Sequence, residues 1–173
     1  MYTMADAKAT LEQFATFPYG ERASLFDGIH VTFSDAGHLL GSSSILFEIT
    51  EDGEARRLLF SGDLGNVNRP LIRDPQNPPD ADVVVIESTY GDRLHGERPD
   101  YMGQLTRIIQ ETLDRGGNVV IPAFAIGRTQ ELLYLINQIK VEGRVKGHDG
   151  FPVYVDSPMA VEATNIYSNS SIC

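Results

Sequence analysis

The sequence predicts an α/β protein whose two halves are built differently. Residues 29–62 alternate polar and apolar positions around a hairpin turn, which is typical of antiparallel strands. Residues 83–156 instead alternate continuous apolar runs with amphipathic helical patterns, which is typical of a parallel sheet with right-handed crossovers. We place the change between the two patterns near residues 88–98.

The first half is expected to be mostly sheet. The pattern predicts a helix over 5–17, a loop over 18–28 and an irregular loop over 66–80, which contains four prolines. Strands are predicted over 29–34, 44–50 and 57–62, with the segment EDGEA as the hairpin turn between the last two.

The second half is expected to continue as a parallel sheet. The run VVVIE over 83–87 is typical of a strand that is buried on both faces. Two further strands are predicted over 118–122 and 152–156, and helices over 100–115, 128–140 and 159–167. Asp100 is a candidate N-cap, and Ser157 with Pro158 would open the last helix.

Composition restricts the class of protein. The chain has 173 residues, of which 42% are hydrophobic and 22% charged, so we expect a globular protein rather than a disordered or fibrous one. The single cysteine, Cys173, excludes a disulfide scaffold and a cysteine-based metal cage. No apolar run reaches the ~20 residues of a membrane span. We expect a cytoplasmic protein.

The charge balance argues against a surface that binds nucleic acid everywhere. Twenty-four acidic residues face 14 basic ones, which gives a net charge of −10. A local basic cleft and metal-holding carboxylates both remain compatible with this balance.

His38 and Asp63 are candidate metal ligands. A hairpin centred near Gly53 would place Ser43 opposite Asp63, and glycines at 37 and 41 would let the chain fold His38 back toward that carboxylate. Imidazole and carboxylate are ligands that zinc uses. The alternative, that both are ordinary turn residues, stays open.

Polar residues also follow the predicted parallel strands, where ligands of such sheets bind. Glu87 ends one strand, and a buried carboxylate there needs either a functional role or a salt bridge. Arg128 and Ser157 lie at helix N-termini, which favour phosphate, although a solvated arginine and a simple cap are the alternatives. A phosphate-binding loop is excluded, because Pro122 stands where its first glycine would be.

Five blocks in order carry a family resemblance. They are DAGHLLGSSS (35–44), FSGDLGN (60–66), IESTYGDRLH (86–95), GGNVVIPAFAIGRTQELL (116–133) and VYVDSPMA (153–160). Together they resemble the β-CASP branch of the metallo-β-lactamase superfamily, whose members are zinc-dependent nucleases acting on RNA. The resemblance covers residues 10–167.

The resemblance implies roles for particular residues. His38 is similar to the metal-ligating histidine of the third lactamase motif, Asp63 to the carboxylate that bridges two zinc ions, and Glu87 to the acidic residue of the first β-CASP motif. His95, Arg128 and Ser157 lie in matching blocks and are expected near substrate. The implied fold is the last part of a metallo-β-lactamase αββα-type sheet over 1–90, followed by the first part of a parallel-sheet, Rossmann-like β-CASP domain over 91–173.

Two family features do not match. The His-x-His-x-Asp-His signature, which supplies most metal ligands, is absent, and so are two later β-CASP histidines. We therefore expect the middle part of a longer zinc-dependent ribonuclease, inactive by itself and binding zinc weakly. An open sheet edge would favour self-association or a homodimer.

Two other functions remain as alternatives. One is a catalytically inactive RNA-binding or scaffold subunit of the same fold. The other is a lactamase-type hydrolase of small molecules, against which the segment from Ser88 onward argues, because such enzymes need no parallel-sheet insert.

Overall fold

A mixed five-stranded sheet organises the first half of the chain. The computed structural model describes residues 2–94, 96 and 99–169. The strands are β1 (Arg22–Phe26), β2 (Ile29–Asp35), β3 (Ser43–Glu51), β4 (Glu54–Phe60) and β5 (Val83–Val85), in the order β1-β2-β3-β4-β5. The first three pairings are antiparallel, and β4 pairs with β5 in parallel.

The expected loop over 18–28 is wrong in part, because it contains β1. This strand pairs with β2 from Arg22 opposite Thr32 to Phe26 opposite Ile29. Four of its five residues are exposed, so it lacks the alternation of buried and exposed positions that reveals a strand in a sequence.

The β3–β4 hairpin forms as predicted, but with a different register. Its pairing runs from Glu51 opposite Glu54 to Ile45 opposite Phe60, so Ser43 does not face Asp63 as expected. A two-residue turn closes the hairpin, and both its residues have positive φ (Asp52 51°, Gly53 81°). With this tight turn the pairing is shifted by one residue, and Ser43 lies beside Gly62 instead. The two backbones are so close that a Cβ added to Gly62 would lie 2.7 Å from the Ser43 carbonyl oxygen.

Four helices form where the pattern predicts helices. They are α1 (Met4–Leu11), α2 (Tyr101–Asp114), α3 (Arg128–Val141) and α4 (Pro158–Asn169). Helix α1 ends six residues before the expected boundary at 17. Asp100 caps α2 as predicted, since its carboxylate accepts a hydrogen bond from the Gly103 amide at 2.9 Å.

Helices α2 and α3 share a small apolar core. Ile109 of α2 packs with Ile136 and Ile139 of α3 and with Val145, and all four are buried. Ile136 and Ile139 are therefore the positions at which α3 faces this core. Leu132 and Leu133 are only half-buried, while the polar neighbours Gln130 and Glu131 are buried instead.

The expected continuous parallel sheet does not form within the described residues. Residues 118–122 and 152–156 are not strands, and the run over 83–85 is half-exposed rather than buried on both faces. Val120 and Tyr154 are 86% and 85% exposed. A strand exists through its ladder of hydrogen bonds with a neighbour, and an apolar run alone does not supply that neighbour. The molecule is therefore α/β, with β5 attached to the hairpin sheet.

No helix in the described ranges is long and apolar enough to cross a bilayer. The cytoplasmic location expected from composition stays a prediction.

Candidate active-site cleft

Four of the candidate residues line one open cleft. The cleft has a volume of about 1380 Å³, and His38, Asp63, Glu87 and Arg128 are all on its wall. Strands β2, β4 and β5 run in the same direction, because β3 is antiparallel to both β2 and β4 and β5 is parallel to β4. His38, Asp63 and Glu87 each follow the carboxyl end of one of these strands by two or three residues. They therefore reach the same edge of the sheet.

The segment 35–42, which we call the His38 loop, reverses the chain after β2. Gly37 and Gly41 adopt positive φ values of 63° and 87°. The Ser42 hydroxyl oxygen accepts hydrogen bonds from the amides of His38 (3.0 Å) and Leu39 (3.1 Å). These bonds fold the loop on itself and leave the His38 side chain half-buried at the cleft.

The segment that carries Asp63 lies directly against the His38 loop. The Gly65 amide donates a hydrogen bond to the Ala36 carbonyl at 2.8 Å. A Cβ on Gly65 would overlap the carbonyl oxygen of Gly37, so only glycine permits this approach of two backbones. The contact sets the distance between the loops that carry His38 and Asp63.

Glu87 is held by hydrogen bonds from neighbouring amides. Its own amide donates to the Ser61 hydroxyl at 3.0 Å, and its carboxylate accepts from the amides of Leu64 (3.1 Å) and Thr89 (3.2 Å). The side-chain hydrogen bond of Thr89 lowers the pKa of Glu87 most, the two amides lower it further, and the nearby His38 adds a smaller electrostatic effect. Among the described residues no cation forms a salt bridge with Glu87. The hydrogen bond from the Leu64 amide instead orients its carboxylate toward the segment that carries Asp63.

Arg128 begins α3 on the opposite wall of the cleft. Its side chain is 63% exposed, and its guanidinium lies 3.0 Å from the Glu131 carboxylate. Gly127, the N-cap residue, has φ of 83°, and a Cβ there would overlap the Leu39 side chain. The start of α3 is thus packed against the His38 loop.

Sequence reasoning missed Arg69 and Glu131. Arg69 donates to one Glu131 carboxylate oxygen through Nε (2.9 Å) and Nη2 (2.7 Å), and to the His38 carbonyl through Nη1 (3.0 Å). The two side chains are 20% and 10% exposed. Nothing in a single sequence connects positions 62 residues apart. The one available signal was an acidic residue one turn after Arg128, on the buried face of α3.

The other two candidates do not join this group. The Ser157 hydroxyl accepts a hydrogen bond from the Ala160 amide at 3.2 Å, as an N-cap of α4 does, and Ser157 does not line the cleft. His95 lies outside the residues that the structure describes.

Comparison with known proteins finds a matching domain family and several relatives. A family profile described as the Beta-Casp domain matches residues 129–172. The chain is 38% identical over 164 residues to "Ribonuclease TTHA0252" of Thermus thermophilus, which covers 94% of this chain and 35% of that protein. Residues 129–172 thus match the Beta-Casp domain, and the chain is similar to proteins of the β-CASP branch of the metallo-β-lactamase superfamily. The resemblance found in the sequence is therefore confirmed.

Further relatives of this chain come from archaea and animals. It is 35% identical over 169 residues to an "RNase J-like protein" of Methanocaldococcus jannaschii (96% of this chain, 38% of that protein). It is 31% identical over 168 residues to "Cleavage and polyadenylation specificity factor 73" of Drosophila melanogaster (96% and 24%). The chain spans between about a quarter and two fifths of the length of these relatives.

The donors of the cleft fit a metal centre only in part. A catalytic zinc ion takes three protein ligands and a structural one takes four. Within the described part of this chain, no group of three or more histidine, cysteine, aspartate or glutamate side chains has a geometry that could hold a metal ion. His38 and Asp63 therefore do not make a complete site by themselves.

Proposed function

We propose that this chain is part of a metal-dependent ribonuclease that hydrolyses phosphodiester bonds of RNA. The observation that carries the proposal is the single cleft shared by His38, Asp63, Glu87 and Arg128. The similarity to the ribonuclease of Thermus thermophilus and to the RNase J-like protein of Methanocaldococcus jannaschii supports the same activity.

We divide the chain as follows. Residues 1–90 would form the last part of a metallo-β-lactamase-like domain, and residues 91–173 the first part of a Rossmann-like β-CASP domain. The family match over 129–172 falls within the second of these ranges. The cleft lies between the ranges, with β-strand ends on one side and α3 on the other.

In this proposal His38 and Asp63 contribute two of the donors of a zinc centre that other residues complete. Zinc would act as a Lewis acid and lower the pKa of a bound water molecule. Glu87, whose pKa is lowered, stays a carboxylate at neutral pH and keeps the Leu64 amide, next to Asp63, in place.

Arg128 would bind the phosphate of the substrate. Its guanidinium is exposed at the N-terminus of α3, where the helix dipole also favours an anion. Its contact with Glu131 holds one edge of the guanidinium and leaves other donors for a phosphate oxygen. His95 and Ser157 remain proposed substrate contacts, and Ser157 would act through the N-terminus of α4 that it caps.

The test compares RNA cleavage by variants of the protein expressed from its complete gene. We expect Asp63→Asn to lower kcat by about 100-fold or more, because a carboxylate ligand is removed. Arg128→Ala should mainly raise KM. Glu48→Gln is the matched control: it likewise replaces a carboxylate by an amide, but Glu48 pairs with Arg22 and Arg57 and does not line the cleft.

The outcomes separate the proposal from its alternative. Cleavage that is unchanged in Asp63→Asn would show that this cleft is not the active site. If the unaltered protein binds RNA through Arg128 but never cleaves it, with zinc present, the scaffold function is correct instead.

We also propose that the chain self-associates through the open edge at β5. This strand pairs only with β4 among the described strands, and Val83, Val84 and Val85 are each about half-exposed. Unpaired amides beside apolar side chains favour pairing with another strand. Light scattering should therefore report a dimer or larger species, and a monodisperse monomer at ~100 µM would refute this part.

A further inference from the structure

We propose that Arg69 and Glu131 are positioning residues that hold the His38 loop at the start of α3. The inference rests on the proposed function for its catalytic consequence, but the positioning itself concerns only contacts within this chain. Neither residue is required to touch substrate. Their role is to fix the backbone from which His38 projects.

The geometry of Arg69 is that of a bridge. Two of its nitrogen atoms bind one oxygen of Glu131, and the third binds the backbone carbonyl of His38. The guanidinium is planar and rigid, so fixing it on Glu131 also fixes the direction of the third hydrogen bond. The position of α3 therefore determines where the backbone carbonyl of His38, the proposed metal ligand, is held.

The second carboxylate oxygen of Glu131 continues the connection. It lies 3.0 Å from the guanidinium of Arg128, at the first residue of α3. One carboxylate therefore contacts both the arginine that holds His38 and the arginine proposed to bind phosphate. Because the Glu131 carboxylate is buried, removing Arg69 or Arg128 would leave a poorly solvated negative charge. The arrangement in which both arginines bind Glu131 is therefore favoured.

Two other contacts act on the same loop from the helical half. Leu39 packs against Gly127, and the Leu40 amide lies 3.4 Å from the Tyr167 hydroxyl oxygen. The first depends on packing and the second is a long hydrogen bond. The Arg69 bridge is the charge-assisted contact among these three, and such bonds are the stronger class. We therefore expect the Arg69 bridge to contribute more than the other two contacts to holding the His38 loop in one conformation.

The experiment measures hydrogen exchange in the full chain for Arg69→Lys and Glu131→Gln. A lysine carries the same charge but cannot bind Glu131 and the His38 carbonyl with one fixed fork. We expect the amides of His38, Leu39 and Ser42 to exchange at least about tenfold faster in both variants. The amides of the α2–α3 core should exchange as in the unaltered chain.

Arg22→Lys is the matched control. Arg22 also makes a close ion pair, with Glu48 at 2.6 Å, but on the sheet and away from the cleft. It should leave the His38 loop unchanged. If Arg69→Lys fails to fold, Glu131→Gln decides, because glutamine has nearly the same shape as glutamate but removes the negative charge that strengthens the contact with Arg69. Exchange of the loop within about twofold of the unaltered chain would overturn the proposal.

A second measurement gives the catalytic consequence in the protein from its complete gene. Arg69→Lys leaves the contact between Arg128 and Glu131 in place, so by misplacing His38 it should lower kcat by about tenfold with little change in KM for RNA, whereas loss of a phosphate contact raises KM. A loosened loop with unchanged kcat would overturn the catalytic role of the bridge. If the protein is no nuclease, the exchange result still stands or falls by itself, so the two failures are distinguishable.

Discussion

Gly65→Ala is expected to separate the two loops that carry His38 and Asp63. The methyl group would overlap the Gly37 carbonyl oxygen, and the obstacle is backbone, which cannot rotate away as a side chain can. The loops would have to part by more than about 1 Å to regain ordinary van der Waals separation. That movement would also break the hydrogen bond from Gly65 to Ala36.

The magnitude follows from these two losses. A hydrogen bond lost in a partly buried place costs about 1 kcal/mol, and strain from overpacking costs about 1–3 kcal/mol. The free energy of unfolding should therefore fall by about 2–4 kcal/mol. With a urea m value of ~2 kcal/mol/M, the unfolding midpoint should fall by about 1–2 M.

The assay is urea unfolding followed by far-UV circular dichroism. Gly96→Ala is the matched control, because a Cβ at Gly96 meets no atom of the described residues within 4 Å and its φ is not in the left-handed region. The control should unfold with the midpoint of the unaltered chain. A Gly65→Ala midpoint within about 0.3 M of that value would show that the close contact of the two loops is wrong.

Three further predictions concern a helix cap, an acid-sensitive pair and zinc. Asp100→Ala should lower the free energy of unfolding by about 1 kcal/mol in urea titrations, since the Gly103 amide loses its cap, and an unchanged midpoint would contradict the capping role. The pKa of Asp114 is lowered, chiefly by its hydrogen bond with His148. The ionised Asp114 carboxylate therefore stabilises the fold at any pH above its ordinary pKa of 3.8, and this stabilisation is lost as the pH falls through the lowered pKa of the folded state. The difference in melting temperature between the unaltered chain and Asp114→Asn should therefore shrink from about pH 7 to about pH 2, and a constant difference would refute the pairing. In calorimetric titrations the chain should bind zinc with a dissociation constant above about 1 µM, because its donor set is incomplete. His38→Ala should abolish this binding, and the control variant His148→Ala should leave it unchanged. Nanomolar affinity would contradict the incomplete donor set.

The helices could be predicted well because their signals are local. Asp100 before α2 and Ser157 before Pro158 are caps that act within one turn, and both make the expected hydrogen bonds. Strand β1 escaped prediction because it is largely exposed. The Arg69–Glu131 bridge escaped because it depends on the packing of a proline-rich loop on a helix, and no local pattern encodes that contact.

The segments 118–122 and 152–156 show a different limit. Their apolar composition indicates a tendency toward burial, yet Val120 and Tyr154 are almost fully exposed. Composition describes what a segment would gain from burial, and only the neighbouring strand decides whether a ladder forms. The sequence pattern of a parallel sheet is therefore evidence for the propensity of each strand and no evidence that its partner lies beside it.

The meeting of His38, Asp63 and Glu87 could be predicted even though the hairpin register was wrong by one residue. A register slip exchanges the two faces of a strand, but it does not change which edge of the sheet the strand end reaches. That edge depends only on strand direction, which follows from the antiparallel β2–β3–β4 order and the parallel addition of β5. Strand direction brings the three side chains to one cleft, and the finer geometry depends on glycines, above all Gly65, which set how closely the loops approach. For this fold, strand topology alone is thus enough to predict which residues meet at the site. The distances between those residues also depend on the strand register, in which an error of one residue matters.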